Sequence, residues 1–259
     1  MDRLPEFQGA CNLASEFRAT DWDRYRMDYR DSFRALESIE EERRVTGQAL
    51  ACLQEAGILP GTDYDEALFS AFRKAVKDTF EIPWTAITPR MQRLLYAINA
   101  IHRPQTTIAA GVFCGNTFIS NAGAAVGPGG CYVARELVGL EIKVDEAVRA
   151  ERNVRRLDPT GVARIVAADA VAWVKAHPGP IDLLYLDADG DKGRGKGIYL
   201  EILEAAWDRL PRGAVILAHN SVNCAGKLTH YLAFVRDPKN CAASVNVIVD
   251  PEGLEVTCR

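Results

Sequence analysis

Large apolar residues recur every three or four positions in the first third of the chain. Trp22, Tyr25, Tyr29, Phe33 and Leu36 follow this spacing, which puts their side chains on one face of a helix. We therefore predict a helix from Thr20 to about residue 59. The same spacing in residues 68–80 predicts a second helix, which ends before Pro83.

From Thr88 onward, short apolar runs alternate with helical patterns. Thr88 followed by Pro89 predicts the start of a helix. Further helices are predicted between the apolar runs. These runs predict strands beginning at Ile108, within residues 131–142, and at residues 163–167, 181–186 and 214–218. Two last runs, residues 245–249 and 254–258, are joined by Asp-Pro-Glu-Gly and predict a hairpin.

This alternation predicts an α/β fold of the Rossmann-like type. Its sheet is expected to have seven strands, mostly parallel, with helices on both faces and the antiparallel C-terminal hairpin at one edge. The chain then divides into an N-terminal helical appendage, residues 1–87, and a Rossmann-like domain, residues 88–259. We expect the aromatic face of the appendage to pack against that domain and to help roof its site.

Composition narrows the class of partner. Of the 259 residues 48% are apolar and the formal net charge is −4, which argues against nucleic acid or an anionic membrane as the main partner. A small molecule is the expected partner. Seven cysteines without metal-ligand spacing are typical of reduced thiols. The N-terminus has no apolar leader and no apolar run is long enough to span a membrane, so we predict a cytoplasmic protein.

One stretch, residues 108–121, combines a strand, a glycine turn and a helix start. Its sequence is IAAGVFCGNTFISN, with Gly111 and Gly115 four residues apart. Glycines admit close backbone approach, and the first turn of a helix has N–H groups without partners within the helix. The stretch therefore predicts a binding site for a polar ligand.

Polar residues follow the later predicted strands. In a doubly wound sheet, ligands bind at the carboxyl ends of the strands, and an acid after the second strand can accept hydrogen bonds from a ribose diol. Each residue alone could merely cap a helix or meet solvent, but their joint occurrence favours a site. They are Glu141, Asp169, Asp187, Asp189, His219 and Asn220.

Five motifs between residues 88 and 259 resemble those of class I S-adenosylmethionine-dependent methyltransferases, in particular small O-methyltransferases related to the catechol and caffeoyl-CoA enzymes. The motifs are AAGVFCGNT, VGLEIKVDEAVRAERNVRRL, IVAADAVAWV, IDLLYLDADG and LPRGAVILAHNSV. The resemblance implies that Gly111 and Gly115 approach the methionine part of the cofactor, Glu141 holds the ribose and Asp169 with Ala170 meets the adenine. Asp187 would lie near the sulfonium. The remaining implied contacts are Ala110, Phe113, Asn116 and Thr117.

The chain departs from this family at two places. Ala109 stands where the family usually has an acid that holds the methionine ammonium. His219 and Asn220 stand where the cation-dependent members have an Asp-Asn pair that binds magnesium together with the first acid of the DAD motif. Imidazole is a poor ligand for a hard cation, so we predict no metal, although Asp187, Asp189 and Asn220 could hold an ion weakly.

Three functions remain open from the sequence. The first is methyl transfer to an oxygen or nitrogen of a small metabolite, as in secondary metabolism, with His219 as the base and Asn220 and Asp187 as further catalytic candidates. The second is cyclisation of S-adenosylmethionine to azetidine-2-carboxylate, which the missing acid at Ala109 would favour because it leaves the amine easier to deprotonate. The third is a non-enzymatic cofactor-binding domain. A homodimer is a further possibility.

Overall fold

The computed structural model describes residues 14–84, 87–191 and 193–259, so the first thirteen residues of the predicted appendage lie outside the described part. Eight strands form one sheet: β1 (Ala14–Arg18), β2 (Thr106–Ala110), β3 (Glu136–Glu141), β4 (Ala163–Ala167), β5 (Leu183–Leu186), β6 (Val215–His219), β7 (Ala243–Ile248) and β8 (Leu254–Cys258). The α-helices are α1 (Ile39–Glu55), α2 (Glu66–Thr79), α3 (Pro89–His102), α4 (Asn116–Ala122), α5 (Val144–Leu157), α6 (Ala170–Ala176), α7 (Tyr199–Ala206) and α8 (Thr229–Val235).

The sheet confirms the predicted α/β architecture. Its strand order is β1-β7-β8-β6-β5-β2-β3-β4. The strands from β6 to β4 run parallel, and β8 pairs antiparallel with both β6 and β7. The chain order reverses at β2, which has β3 on one side and β5 on the other. A crevice opens at such a point, at the carboxyl ends of the strands.

The number of strands differs from the prediction. Residues 14–18 form a strand that pairs in parallel with residues 244–248, so the sheet has eight strands rather than seven. The C-terminal hairpin is consequently not at an edge, because β1 covers β7. Strand β1 is short and its sequence, ASEFR, lacks an apolar run. Its pairing depends on the backbone groups that β7 offers along its outer side.

The predicted helix from residue 20 is also wrong over its first half. Residues 19–38 form turns and irregular backbone, and α1 begins only at Ile39, with the Ser38 hydroxyl accepting from the Glu41 N–H. The carboxylates of Asp21 and Glu37 both bind the guanidinium of Arg90. A helix over those residues would separate the two carboxylates by about 24 Å, so this shared partner excludes it.

Two apolar cores lie on the two faces of the sheet. Helices α1 to α5 contribute to one core and α6 to α8 to the other. Thr88 begins α3 as predicted, since its hydroxyl accepts from the Met91 N–H. Because α1 and α2 share their core with α3, the predicted boundary between residues 87 and 88 crosses a continuous packing. Within the described ranges, every helix is too short or too polar to cross a membrane.

Candidate functional site

A cavity of about 440 Å³ opens at the carboxyl ends of the central strands. Most of the residues predicted from the strand ends meet there. The wall includes ten of the twelve cofactor-binding and catalytic candidates: Gly111, Phe113, Asn116, Thr117, Glu141, Asp169, Ala170, Asp187, His219 and Asn220. Ala110 and Gly115 are not among the wall residues. Ala110 packs into the apolar core under α6 and α7, because alternate residues of β2 face opposite sides of the sheet.

The glycine turn after β2 is required by packing within the protein. Gly111 has a φ of 81°, and a Cβ there would lie 2.4 Å from the backbone nitrogen of Ala188. Only glycine lets the chain pass so close to the segment after β5. Gly115 lies against Ala150 of α5, at 3.3 Å from an added Cβ. The two glycines thus let the turn after β2 pack against the segment after β5 and against α5, and their predicted approach to a ligand stays a prediction.

Glu141 presents a buried carboxylate at the end of β3. Its Oε2 accepts from the backbone N–H of Phe113 at 2.9 Å, and its Oε1 accepts from that of Lys143 at 3.0 Å. Phe113 itself has a positive φ of 47°, a conformation that costs energy in a non-glycine residue and recurs at functional sites. Each carboxylate oxygen can accept another hydrogen bond. This geometry fits two adjacent hydroxyls.

Asn116 supplies an acceptor without a partner. Its side chain is buried at the start of α4, and its Oδ1 has no hydrogen-bond partner in the described part of the chain. Buried acceptors are nearly always satisfied, and Asn116 lines the cavity. A ligand that brings an N–H donor would satisfy it.

Asp169 combines a structural role with a place on the wall. Its Oδ1 accepts from the Ala172 N–H at 2.8 Å and so caps α6, which is the ordinary role that an acid before a helix can have. It is also exposed to the cavity beside Ala170. Its place is compatible with the predicted contact to adenine.

Asp187, Lys196 and His219 form an ionic cluster on the wall. Asp187 Oδ1 accepts from Lys196 Nζ at 2.8 Å, and its Oδ2 lies 3.4 Å from His219 Nδ1. Lys196 Nζ also lies 3.5 Å from Asp189 Oδ2. Lys196 was not predicted from the sequence, because it follows a glycine-rich run that is typical of a solvated loop. A single lysine after such a run carries no signal of its own.

Charge pairing within the cluster opposes the effect of burial on each of its three groups. Burial by itself would raise the pKa of the Asp187 carboxyl, but the charges of His219 and Lys196 and their hydrogen bonds hold it below its ordinary value. Burial would lower the pKa of His219, yet the Asp187 charge and hydrogen bond, with smaller contributions from Asp250 and Glu252, raise it. Burial would likewise lower the pKa of Lys196, and Asp187 and Asp189 raise it.

This donor set does not fit a tightly bound divalent cation. The ammonium of Lys196 lies between the carboxylates of Asp187 and Asp189, where such an ion would have to bind. In the ranges that the structure describes, no three His, Cys, Asp or Glu side chains are arranged to hold a metal ion.

The roof of the cavity comes from distant parts of the chain. Met27 and Tyr29 reach it from the irregular N-terminal segment, and the Trp84 ring packs 5.1 Å from that of Phe113. Of the N-terminal aromatic residues that were predicted to roof the site, Tyr29 lines the cavity. Trp22, Tyr25 and Tyr185 are not wall residues: Tyr25 lies under the Arg90 guanidinium at 3.8 Å.

Two acids of the turn between β7 and β8 complete the wall. Asp250 accepts from the Thr88 hydroxyl at 2.5 Å and from the Gly253 N–H at 3.1 Å. Burial and the neighbouring Asp250 carboxylate raise the pKa of Glu252. The sequence predicted only a turn here, because Asp-Pro-Glu-Gly is sufficient to explain one.

Residues 108–221 match the family model described as a methyltransferase domain. No curated protein matches the chain at a significant level. Many solved structures share the fold.

Three of these structures are methyltransferases with a bound ligand. The O-methyltransferase from Bacillus cereus in complex with S-adenosylhomocysteine is 16% identical, with a TM-score of 0.53 over 86% of this chain and 100% of that one. The methyltransferase PaMTH1 of Podospora anserina, bound to S-adenosylhomocysteine, is 14% identical, with a TM-score of 0.56 over 87% and 99%. The O-methyltransferase TomG of Streptomyces achromogenes, involved in tomaymycin synthesis and bound to S-adenosylmethionine, is 18% identical, with a TM-score of 0.52 over 86% and 99%.

The fold is that of the class I methyltransferases. Its residues 108–221, which match the methyltransferase domain model, contain the glycine turn, Glu141, Asp187 and His219.

Proposed function

We propose that the protein uses S-adenosylmethionine to methylate an oxygen or nitrogen of a small molecule. One observation carries the proposal: a carboxylate suited to a ribose and an ionic acid/base pair line the same cavity of a methyltransferase fold. The three solved structures of similar fold described above hold S-adenosylmethionine or S-adenosylhomocysteine, the product that remains after methyl transfer. When bound, this cofactor supplies an activated methyl group.

Three wall residues provide for binding of the cofactor. Glu141 accepts from the ribose hydroxyls, because two backbone N–H groups hold its carboxylate in place. Asn116 accepts from the amino group of the methionine part, because its Oδ1 otherwise has no partner among the described residues. This contact would take over the role of the acid that is absent at Ala109. Asp169 lies on the side expected for the adenine.

His219 acts as the base for the acceptor. Its Nδ1 faces Asp187, while its Nε2 makes no hydrogen bond with the described residues. The neutral ring takes the proton of the acceptor's hydroxyl or amine as the methyl group is transferred, and Asp187 stabilises the imidazolium that results. Asn220 follows directly, with a positive φ of 64°, and lines the same wall.

Nothing in the described residues favours the cyclisation of S-adenosylmethionine over transfer of its methyl group. Ala109 is fully buried in the core on the α3 side and does not line the cavity. The rings of Trp22, Tyr25, Tyr29, Trp84, Phe113 and Tyr185 could stabilise a sulfonium, and of these Tyr29, Trp84 and Phe113 line the cavity. Because Ala109 lies away from the wall, its lack of a carboxylate is no reason to favour cyclisation over methyl transfer.

The test uses purified protein, S-adenosylmethionine and a panel of phenols, catechols and amines, analysed by mass spectrometry. We expect S-adenosylhomocysteine only in the presence of an acceptor, together with an acceptor that is one methyl group heavier. Methylthioadenosine formed without an acceptor would support the cyclase instead. Binding of S-adenosylhomocysteine without turnover of any kind would favour a non-enzymatic domain, and absence of binding would refute the proposal. Cytoplasmic location and dimer formation stay predictions.

A further inference from the structure

The loop between β5 and α7 is closed on itself. The Gly190 N–H donates to the Gly195 carbonyl at 2.8 Å and the Gly195 N–H donates to the Gly190 carbonyl at 3.2 Å. Arg194 is held by Glu201 at 2.5 Å and by Asp191 at 3.0 Å. These bonds hold Gly190 and Gly195 together, and Lys196 follows Gly195 directly.

Lys196 turns inward from this loop. It is 9% exposed, and its Nζ donates to the Asp187 carbonyl at 2.7 Å and to Asp187 Oδ1 at 2.8 Å. Asp189 Oδ2 lies 3.5 Å away. The ammonium therefore donates two hydrogen bonds to Asp187 and lies within ion-pair distance of Asp189, and both acids line the cavity.

The position has an electrostatic reason. A buried carboxylate is costly unless a positive charge is close to it. Asp187 has two such partners, and only Lys196 also reaches Asp189. His219 must lose its proton to act as a base, and at that moment Lys196 is the remaining positive charge on Asp187. Lys196 thus keeps the Asp187 carboxylate ionised when His219 loses its proton.

We propose that the ammonium of Lys196 is the resident cation of this cavity: it occupies the place between Asp187 and Asp189 that a divalent ion would need, and so excludes such an ion. Lys196 is then a positioning residue, which acts on the acceptor site through Asp187. The exclusion of metal does not depend on the proposed methyl transfer.

The test measures binding of Mn²⁺ by electron paramagnetic resonance and calorimetry in the full chain. The variants are Lys196→Met, which keeps the length and removes the charge, and the matched control Lys227→Met, an exposed lysine beside the same loop. We expect no saturable Mn²⁺ binding by the unmodified protein or the control. Lys196→Met should bind one ion per chain at least about tenfold more tightly, and the double variant Lys196→Met with Asp187→Asn should lose it.

Two results would overturn the proposal. One is saturable Mn²⁺ binding by the unmodified protein that Asp187→Asn removes. The other is a folded Lys196→Met chain, shown by its thermal transition, that binds Mn²⁺ no better than the control. Lys196→Gln serves in its place if the Met variant does not fold.

A second readout applies once an acceptor is known. Turnover by the unmodified protein should be unchanged by a chelator, whereas Lys196→Met should lose about tenfold or more and recover part of it with Mn²⁺. Failure to find any acceptor would count against the proposed function and would leave the Mn²⁺ measurement decisive for Lys196.

Discussion

Two buried ionic clusters differ in what surrounds them. Arg90 is fully buried, and its guanidinium binds both carboxylate oxygens of Asp21 and of Glu37 and stacks on Tyr25. Lys196 is nearly as buried and also binds two acids, but those acids line the cavity. Both clusters pair a cation with two carboxylates, yet only one is open to a ligand.

This difference separates a structural role from a chemical one. The groups around Arg90 join the irregular N-terminal segment to α3 over sequence separations of 53 and 69 residues, and Arg90, Asp21 and Glu37 do not line the cavity. The groups around Lys196 include a histidine whose proton can be exchanged with a ligand. Burial and charge alone therefore do not identify a functional site, and access to the cavity does.

The largest expected effect is on the enclosed cluster. Arg90→Met leaves the carboxylates of Asp21 and Glu37 without their cation, so we expect the free energy of unfolding to fall by about 3–5 kcal/mol. Denaturant titration measures this change. Arg24→Met is the control, since that arginine is exposed and its partner carboxylate, that of Asp23, is as far away as 4.0 Å. A loss no larger than that of the control would mean that the Arg90 cluster does not hold the N-terminal segment.

The next largest effect concerns the cluster that lines the cavity. His219→Gln removes the proposed base, so we expect turnover to fall about 10²-fold or more. Steady-state rates measure the loss, and binding of S-adenosylhomocysteine should be retained. His230→Gln, in the exposed part of α8, is the matched control. Unchanged turnover in His219→Gln would exclude His219 as the base.

A smaller effect concerns the cofactor. Glu141→Gln keeps the size of the side chain but weakens its capacity to accept from hydroxyls, and we expect about tenfold weaker binding of S-adenosylhomocysteine. Calorimetry gives this ratio directly. Glu146→Gln, whose carboxylate pairs with Arg149 away from the wall, should bind as the unmodified protein does. Equal affinities in the two variants would remove Glu141 from the cofactor site.

The smallest effect is on pH dependence. Because Asp187, Asp250 and Glu252 raise the pKa of His219, the base is protonated and inactive up to a higher pH than an ordinary histidine, and turnover should rise with pH through that raised pKa. Glu252→Gln removes one negative charge, so the rise should shift to lower pH. Rate profiles over pH measure the shift, with Glu204→Gln, an exposed acid of α7 away from the cavity wall, as control. A shift to higher pH would contradict the assignment.

Local sequence patterns were sufficient to predict the strands in the central part of the molecule. The alternation after Thr88 predicted each strand from β2 to β8 within a few residues, and strand-end position predicted that Glu141, Asp187 and His219 would lie at one crevice. Such elements depend on periodicity and turn chemistry, which neighbouring residues carry. The strand β1 could not be predicted in this way, since a five-residue segment becomes a strand only when another strand offers its backbone.

The sequence by itself determined the α/β class, the glycine turn and the order of polar strand ends, because these follow from residues adjacent in the chain. Only the tertiary structure decided the path of residues 19–38, where two acids far from Arg90 in sequence meet one guanidinium. It also decided that Lys196 lies between Asp187 and Asp189, since that depends on how the loop directs one side chain. Charge pairing in three dimensions decides both, and the spacing of the residues along the chain does not encode it.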